Sequence, residues 1–519
     1  MKITVYDGAD TIGGTKIHVE EKENGLFLDF GMNFARYSLY YEEFISERSA
    51  RGIHDLWHLG LIPKLNIYRK DLIPRDLDTS SYPKLPVNAV LISHAHLDHV
   101  GNVALLDGSI PLVGSPTTIA IIKALNDTVA SGSHFGMEIP YYKVRKNRDE
   151  EGHILEADRK SHYPSRKVIL TGKAEQLNEF LFYSPKSKKK IIPNEVKSLG
   201  EEELGFEVKA FPVDHSIYGA TAYVVEGDVS LAYTGDFRLH GKNGNETRKF
   251  IREAGNAGVL ITEGTRVGRE EHENVSEREV YENALEIVEG AKGLVVADFS
   301  ARNFERLETF EKIAREAGRE LVITAKDAYF LHALKMVDGA DRLEHLRIYE
   351  NFKATRQRWE TLVVGENYGD RYISPFEIRA NQENYILCFS FYDMPHLLDV
   401  MPHGGAYIYS SSEAFGEEQE FSFLRLWNWL KYFGFEVHGF RVDEHGKPVF
   451  ERELHASGHV SKEELVRVID EIDPDYIIPV HTENPMWFKE NWGEKTVCFK
   501  EWGKVGDLRK GNWGDTRDG

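Results

Sequence analysis

Short apolar runs, each closed by a polar or acidic residue, recur along this chain. Residues 2–5 and 15–20 alternate apolar and polar positions around the Gly13-Gly14 break, predicting two strands with a turn between them. The run Gly25-Leu26-Phe27-Leu28-Asp29-Phe30-Gly31 predicts a third strand that ends at a carboxylate. Residues 37–82, aromatic and charged, break the rhythm and read as an insertion with short helices of its own. After it, Ala89-Val90-Leu91-Ile92 predicts a buried strand that runs straight into a histidine-rich stretch.

Beyond residue 200 strands and helices alternate. Strands are predicted at 206–210, 220–225, 229–233 and 259–262. A buried strand at 294–297 then precedes a helix over 303–318, with Phe304, Leu307, Phe310 and Ile313 on one face. A strand at 321–324, a helix around 329–336, strands at 385–389 and 406–409 and an aromatic helix over 421–433 continue the series. This alternation predicts a largely parallel sheet with both faces covered. In the last block, Ser461-Lys462-Glu463-Glu464 is a capping box, and the helix it opens stops near Asp473-Pro474. The strand Tyr476-Ile477-Ile478-Pro479-Val480 then delivers His481.

A chain of 519 residues exceeds one ordinary core, so two or more domains are expected. Hydrophobic residues at 41% and charged residues at 29% place it among soluble globular proteins. The N-terminus lacks the apolar core of a signal peptide and no run is long enough to cross a bilayer, so a cytoplasmic location is expected. The two cysteines, Cys388 and Cys498, sit in apolar strand-like runs and read as buried free thiols rather than a disulfide. The net charge of -20 runs against a nucleic-acid partner, because phosphate binding favours basic surfaces. Residues 141–190 depart from that balance, with thirteen Lys and Arg against seven Asp and Glu. Their densest part, Lys186-Ser187-Lys188-Lys189-Lys190, is either a solvated loop or a phosphate-backbone contact.

The chemistry concentrates in His94-Ala95-His96-Leu97-Asp98-His99. Neutral imidazoles and carboxylates are the usual ligands of zinc and similar divalent ions. Four such donors spaced for two neighbouring metals point to metal-assisted hydrolysis. Further candidates lie just past apolar strands: Asp236 in Thr234-Gly235-Asp236-Phe237, Glu263 after 259–262, and His481. In open α/β sheets that edge is where ligands sit, so residues distant in sequence can converge there.

These motifs resemble the metallo-β-lactamase superfamily. His-x-His-x-Asp-His matches its second motif, Asp29 its first, His215 in Val213-Asp214-His215-Ser216 its third and Asp236 its fourth. The resemblance implies an αββα sandwich in which His94, His96 and His215 hold one metal. Asp98, His99 and His481 would hold the other, with Asp236 between the two and Asp29 orienting ligands from behind. Zinc is the first expectation, with manganese or magnesium as alternatives. The roughly 220 residues between Asp236 and His459 are too many for a loop, so an inserted domain is expected. That organisation resembles the β-CASP group, which acts on nucleic acids. Glu263 matches its motif A, His459 in His455-Ala456-Ser457-Gly458-His459 its motif B, and His481 its motif C. A histidine at motif C is similar to the RNA-processing members, and motif B is most similar to RNase J. Two departures stand out. Motif A is Glu263 followed by Gly264, where RNase J usually has an aspartate followed by serine, and only 38 residues follow His481.

The expected division is 1–265 and 446–519 for an α/β hydrolase domain, with 266–445 as an inserted α/β cap. The expected activity is a two-metal ribonuclease, exonucleolytic from the 5′ end, endonucleolytic or both. Asp98 would aim the attacking hydroxide, and His459, held by Glu263, would protonate the leaving oxygen. The expected partner is RNA, with no membrane and a homodimer as a candidate assembly. Ser300, Arg302, His455 and Ser457 are candidates for RNA phosphate contact, with a plain helix N-cap as the other reading of Ser300. Ser410-Ser411-Ser412 is a further candidate, and Trp487, Trp492, Trp502 and Trp513 either stack bases or pack on the core. A DNA nuclease of the same group and a small-molecule metallo-hydrolase are the alternatives. His481 weighs against the first, and the inserted domain with Glu263 and His459 against the second. A decayed RNA-binding protein is disfavoured because every ligand position is filled.

Overall fold

The computed structural model describes residues 1–42, 44–129, 135–174, 176–268, 275–411 and 423–499, and the backbone of Lys504–Asp507 and Asn512–Gly514. Three large sheets organise these residues. The first runs, in spatial order, Val196–Ser198, Val168–Leu170, Leu112–Gly114, Ala89–Leu91, Asn24–Phe30, Lys16–Glu21, Lys2–Asp7, Lys504–Asp507 and Asn512–Gly514. The second runs Glu207–Pro212, Thr221–Glu226, Ser230–Tyr233, Val259–Glu263 and Tyr476–Val480.

Alternation along the strands decides how these two sheets stack. One face of the first sheet (Ile3, Val5, Ile17, Val19, Leu26, Leu28) packs on one face of the second (Tyr223, Val225, Leu231, Val259, Ile478). The opposite face of the second sheet buries Ala222, Val224, Leu260 and Ile477 under the helices Gly244–Glu253 and Lys462–Ile472. Phe27, Val90, Leu112 and Val168, on the outer face of the first sheet, pack on the helix Pro116–Thr128. Helix, sheet, sheet, helix is therefore the layer order, as the αββα expectation requires.

The third sheet is parallel at every strand pair: Tyr372–Ile373, Leu346–Tyr349, Glu320–Ile323, Tyr385–Cys388, Leu294–Asp298, Gly405–Tyr409, Phe435–His438. Its near-continuous Val, Ile and Leu runs fit burial on both faces. The strands and helices read from the sequence pattern lie close to their expected bounds. The 476–480 strand and the Ser461 capping box are as expected. The helix expected at 303–318 spans Phe304–Glu316, and its N-cap is Asn303, whose side chain accepts from the Arg306 amide. The N-cap reading of Ser300 is thereby excluded. The aromatic helix is Phe423–Phe433, and the two residues before it lie outside the described residues.

The 37–82 stretch does carry short helices, including His54–His58. Ile53, Leu56, Trp57 and Leu61 nevertheless join the main core, so it is packed rather than appended. Cys388 and Cys498 are both free and half-buried. Among the described residues no helix is long and apolar enough to cross a membrane.

Candidate metal centre

The strands deliver seven donor side chains to one place. His94, His96, Asp98 and His99 follow Ala89–Leu91, Asp236 follows Ser230–Tyr233, and His481 follows Tyr476–Val480. His215 lies between Glu207–Pro212 and Thr221–Glu226. Two donor groups result, His94 with His96 and His215, and Asp98 with His99, Asp236 and His481. In the first, His94 Nε2 and His215 Nε2 lie 3.1 and 3.3 Å from His96 Nδ1. In the second, His481 Nε2 is 3.0 Å and His99 Nε2 is 3.6 Å from Asp98 Oδ2. Asp236 Oδ2 spans the groups, 3.7 Å from His94 Nε2, 3.1 Å from His99 Nε2 and 3.7 Å from His481 Nε2.

Hydroxyl and carboxylate groups behind the imidazoles decide which ring nitrogen faces inward. Asp29 is fully buried; its Oδ2 accepts from His99 Nδ1 at 2.7 Å, Ser93 Oγ at 2.6 Å and Tyr233 OH at 2.6 Å. Ser93 thus spends its one hydroxyl proton on Asp29 and accepts from His94 Nδ1 at 3.0 Å. Thr265 repeats the device: its Oγ1 donates to Glu263 Oε2 at 2.6 Å and so accepts from His481 Nδ1 at 3.0 Å. His215 Nδ1 donates to the Gly458 carbonyl at 2.7 Å. Each arrangement leaves Nε2 with its lone pair toward the cluster, the orientation a metal needs.

Burial and the neighbouring imidazoles hold His94 and His96 well below the ordinary histidine range, and burial with His459 brings His215 to about 4. The first group is therefore neutral imidazole. In the second, burial opposes charge, but Asp236 and Asp98 outweigh it and raise His99 and His481. His99 Nε2 and Asp236 Oδ1 are buried without a hydrogen-bond partner. Three neutral imidazoles, two more imidazoles beside two carboxylates and two orphaned polar atoms together fit a dinuclear divalent-metal centre.

Backbone geometry is part of the site. Asp29 and His481 adopt left-handed φ of 55° and 51°, conformations that surrounding structure must enforce. Gly13, at φ +78°, and Gly31 admit the Asp98 turn. A Cβ on Gly13 would come within 2.8 Å of Asp98 Cβ, and one on Gly31 within 1.6 Å of the Asp98 carbonyl.

Two family profiles match this architecture, "Metallo-beta-lactamase superfamily" over 68–275 and "Zn-dependent metallo-hydrolase RNA specificity domain" over 451–488. In profile match and donor arrangement the chain is similar to the metallo-β-lactamase superfamily. Among its relatives in sequence are RNase J-like proteins. It is 22% identical over 499 residues to a Ribonuclease J of Pyrococcus abyssi, covering 93% of this chain and 90% of that one. A Ribonuclease J of Methanocaldococcus jannaschii is 20% identical over 496 residues, with 93% and 91% covered. A crystal structure of a protein of unknown function from Enterococcus faecalis shares the fold, with TM-score 0.67 and 22% identity over 97% of this chain and 99% of that one.

Beside this superfamily centre lie the remaining expected residues. Glu263, buried, ends its strand and brackets His459 Nδ1 with both oxygens at 3.0 Å. Burial opposes the Glu263 charge, but His459 outweighs it and holds the carboxyl low. Arg302 is buried, and its Nη1 donates to the Ala95 carbonyl at 3.3 Å, between two metal-ligand candidates. Ser457 Oγ accepts from the His459 amide at 3.1 Å. His455 Nδ1 is buried without a partner; burial, then Arg306, takes its pKa to about 3. Ser300 accepts from the Asn303 amide at 2.8 Å through its carbonyl.

Other candidates serve the fold. Ser410 is fully buried, donates to the Leu454 carbonyl at 2.6 Å and accepts from Arg306, so it is no phosphate contact. Ser412 and Trp502 lie outside the described residues, as does the side chain of Trp513. Trp487 is buried and packs edge-on against Trp492 at 5.5 Å. In the basic segment, Arg166 donates to the Asp107 and Leu106 carbonyls and Lys167 pairs with Glu195 and Glu202. Ser93, Tyr233, Thr265 and Arg238 are site residues that sequence reasoning passed over. Only proximity flagged two of them, Ser93 directly before His94 and Thr265 two residues after Glu263.

Proposed function

We propose that this chain is a metal-dependent ribonuclease that hydrolyses RNA phosphodiester bonds. The observation that carries the reading is the juxtaposition of two donor groups sharing Asp236 with an ion-paired Glu263–His459 couple. A hydrolase that only activates water has no use for a positioned proton donor on the leaving-group side. A phosphodiester, with its poor alkoxide leaving group, needs both. The similarity to proteins named Ribonuclease J, and the RNA specificity profile covering His455, Ser457, His459 and His481, favour RNA.

His94, His96 and His215 would hold one metal and Asp98, His99 and His481 the other, with Asp236 bridging. Two divalent ions, zinc first, supply Lewis acidity to the phosphoryl oxygens and lower the pKa of a water toward neutrality. Asp98 accepts a hydrogen bond from the attacking water and aims it. His459, with Nδ1 engaged by Glu263, gives the Nε2 proton to the departing ribose oxygen as the P–O bond breaks. Arg302, Ser300, His455 and Ser457 grip flanking phosphates. The hydrolase part comprises 1–265 and 446–519, and 266–445 forms the cap over the RNA cleft.

The test is direct. The purified chain is incubated with 5′-labelled and 3′-labelled RNA, with and without chelator. Mononucleotides released from the 5′ end mark an exonuclease, and long fragments an endonuclease. Asp98→Ala and His99→Ala should abolish cleavage and leave the far-ultraviolet circular dichroism unchanged. Cleavage that survives chelator and both substitutions refutes the assignment.

A further inference from the structure

Three successive carbonyls of the loop that carries His459 are each held by a side chain. The Ser457 carbonyl accepts from Arg238 Nη1 at 3.1 Å and His240 Nε2 at 2.9 Å. The Gly458 carbonyl accepts from His215 Nδ1 at 2.7 Å, and the His459 carbonyl from Arg266 Nη1 at 3.5 Å. Arg238 is the hub. It is fully buried, donates through Nε to Asp214 at 3.1 Å and through Nη2 to Glu305 at 2.7 Å, and its Nη1 also reaches Glu277 at 3.4 Å. Glu277 also takes Arg306 Nη2 at 3.1 Å, and Arg306 Nη1 holds the Leu454 carbonyl at 3.2 Å, just upstream of the same loop.

Position makes this network more than a buried ion cluster. Arg238 lies two residues after Asp236, and its own amide donates to the Asp214 carbonyl at 2.7 Å, one residue before His215. Between them, the Phe237 amide donates to Glu263 Oε1 at 3.0 Å. One turn therefore carries a candidate bridging ligand, a donor to the carboxylate that grips His459, and the fork that grips the loop of His459. Glu305 and Glu277 come from the cap helices Phe304–Glu316 and Glu277–Gly290, so the fork also ties that turn to the cap.

We propose that Arg238 is a positioning residue for the reaction: through the 457–459 loop it places the His459 imidazole for proton delivery to the leaving oxygen. The inference rests on the ribonuclease reading and on His459 as its acid. A planar guanidinium serves four acceptors at once, whereas a lysine ammonium presents its donors from a single point and cannot span them.

The leaving group provides the test. RNA expels an alkoxide that needs a proton, while bis(4-nitrophenyl) phosphate expels 4-nitrophenolate, which does not. Wild type, Arg238→Lys, His459→Ala and the double variant, each metal-loaded, are assayed on both substrates. Arg238→Lys should lower kcat on RNA by roughly 10–100-fold, part of what general acid catalysis is worth. Its KM for RNA and its rate on the activated diester should stay within about threefold of wild type, below the roughly 10-fold minimum expected for its kcat on RNA. The double variant should be no slower on RNA than His459→Ala, because both act on one proton transfer. Equal losses on both substrates, additive losses in the double variant, or no loss at all would overturn the proposal. Were His459→Ala itself to spare RNA cleavage, the acid assignment would fall, and Arg238 with it. Should Arg238→Lys not fold, Glu305→Gln weakens one anchor of the same fork and should give the same selective loss, about 3–10-fold. A loss from Glu305→Gln that falls equally on both substrates counts against the proposal.

Discussion

Replacing Asp29 with asparagine separates charge and lone pairs from shape. The backbone there is left-handed, at φ 55°, a conformation asparagine tolerates better than most residues. The substitution therefore tests the carboxylate and not the turn. Both oxygens of Asp29 are surrounded by donors. Oδ1 faces the Ser93 amide at 2.7 Å, and Oδ2 faces Ser93 Oγ, His99 Nδ1 and Tyr233 OH. An amide nitrogen must replace one of these oxygens. On the Oδ1 side it opposes a backbone N–H that cannot turn away, which costs about 1–3 kcal/mol for an unsatisfied donor. On the Oδ2 side it opposes His99 Nδ1–H, and the ring escapes only by moving its proton to Nε2, the atom meant for the metal. Partners of this kind are worth about 10–100-fold in metal affinity, or about 1.4–2.8 kcal/mol. Calorimetric titration of apo Asp29→Asn with zinc and with manganese, against a competing chelator, should show a loss of that size in one of the two sites. Metal-free thermal unfolding is the control. Affinity within threefold of wild type at both sites would refute the argument that Asp29 sets the His99 tautomer.

Three other perturbations probe separate layers of the structure. Gly13→Ala places a methyl 2.8 Å from Asp98 Cβ at φ +78°, so RNA cleavage should fall at least about tenfold while unfolding shifts by about 1–2 kcal/mol. Lys123, fully buried, pairs with Asp127, which also accepts from Tyr141 and Tyr329, the latter on a cap helix. Lys123→Met should lower stability by about 3–5 kcal/mol by leaving that carboxylate uncompensated, as read from chemical denaturation. Burial raises the Asp298 carboxyl to about 7. The folded state then holds that proton more tightly than the unfolded chain, so its stabilisation is full below about pH 4 and lost as pH rises through 7. The loss is about 4 kcal/mol at most, and Asp298→Asn should flatten that part of the stability profile.

The ligand shell was legible because metal chemistry constrains residue type and strand ends constrain place. His94, His96, Asp98 and His99 are adjacent in sequence, and Asp236, Glu263 and His481 each close an apolar run that cannot be solvent-exposed. Period and burial likewise exposed the central strands of the parallel sheet, Glu320–Ile323, Tyr385–Cys388, Leu294–Asp298 and Gly405–Tyr409, and passed over the outer ones, Tyr372–Ile373, Leu346–Tyr349 and Phe435–His438. What stayed hidden is what has no pattern. The strands Val168–Leu170 and Val196–Ser198 are three residues long and lie in or beside the charged segment, too short for alternation to register. Ser93 and Thr265 are ordinary hydroxyls whose role exists only because a second acceptor lies behind each.

Ser300 and Ser410 show the converse. Serine near a strand end reads equally as cap, phosphate ligand or buried donor, and only neighbouring groups decide. For Ser300 the deciding fact is an asparagine three residues on, which caps the helix instead. For Ser410 it is Arg306, whose buried charge needs acceptors and takes the hydroxyl and the carbonyl both. Half-buried Glu277 links two fully buried guanidinium groups, Arg306 and Arg238, each of which needs its charge. Each charge in that series is tolerable only in the presence of the next, and the series runs from the turn of Asp236 to the loop of His459. Separating the helices of Glu277 and Glu305 from the Asp236 turn would break the Arg238–Glu277 and Arg238–Glu305 pairs and strand the buried Arg238 guanidinium, where a single uncompensated charge costs about 3–5 kcal/mol.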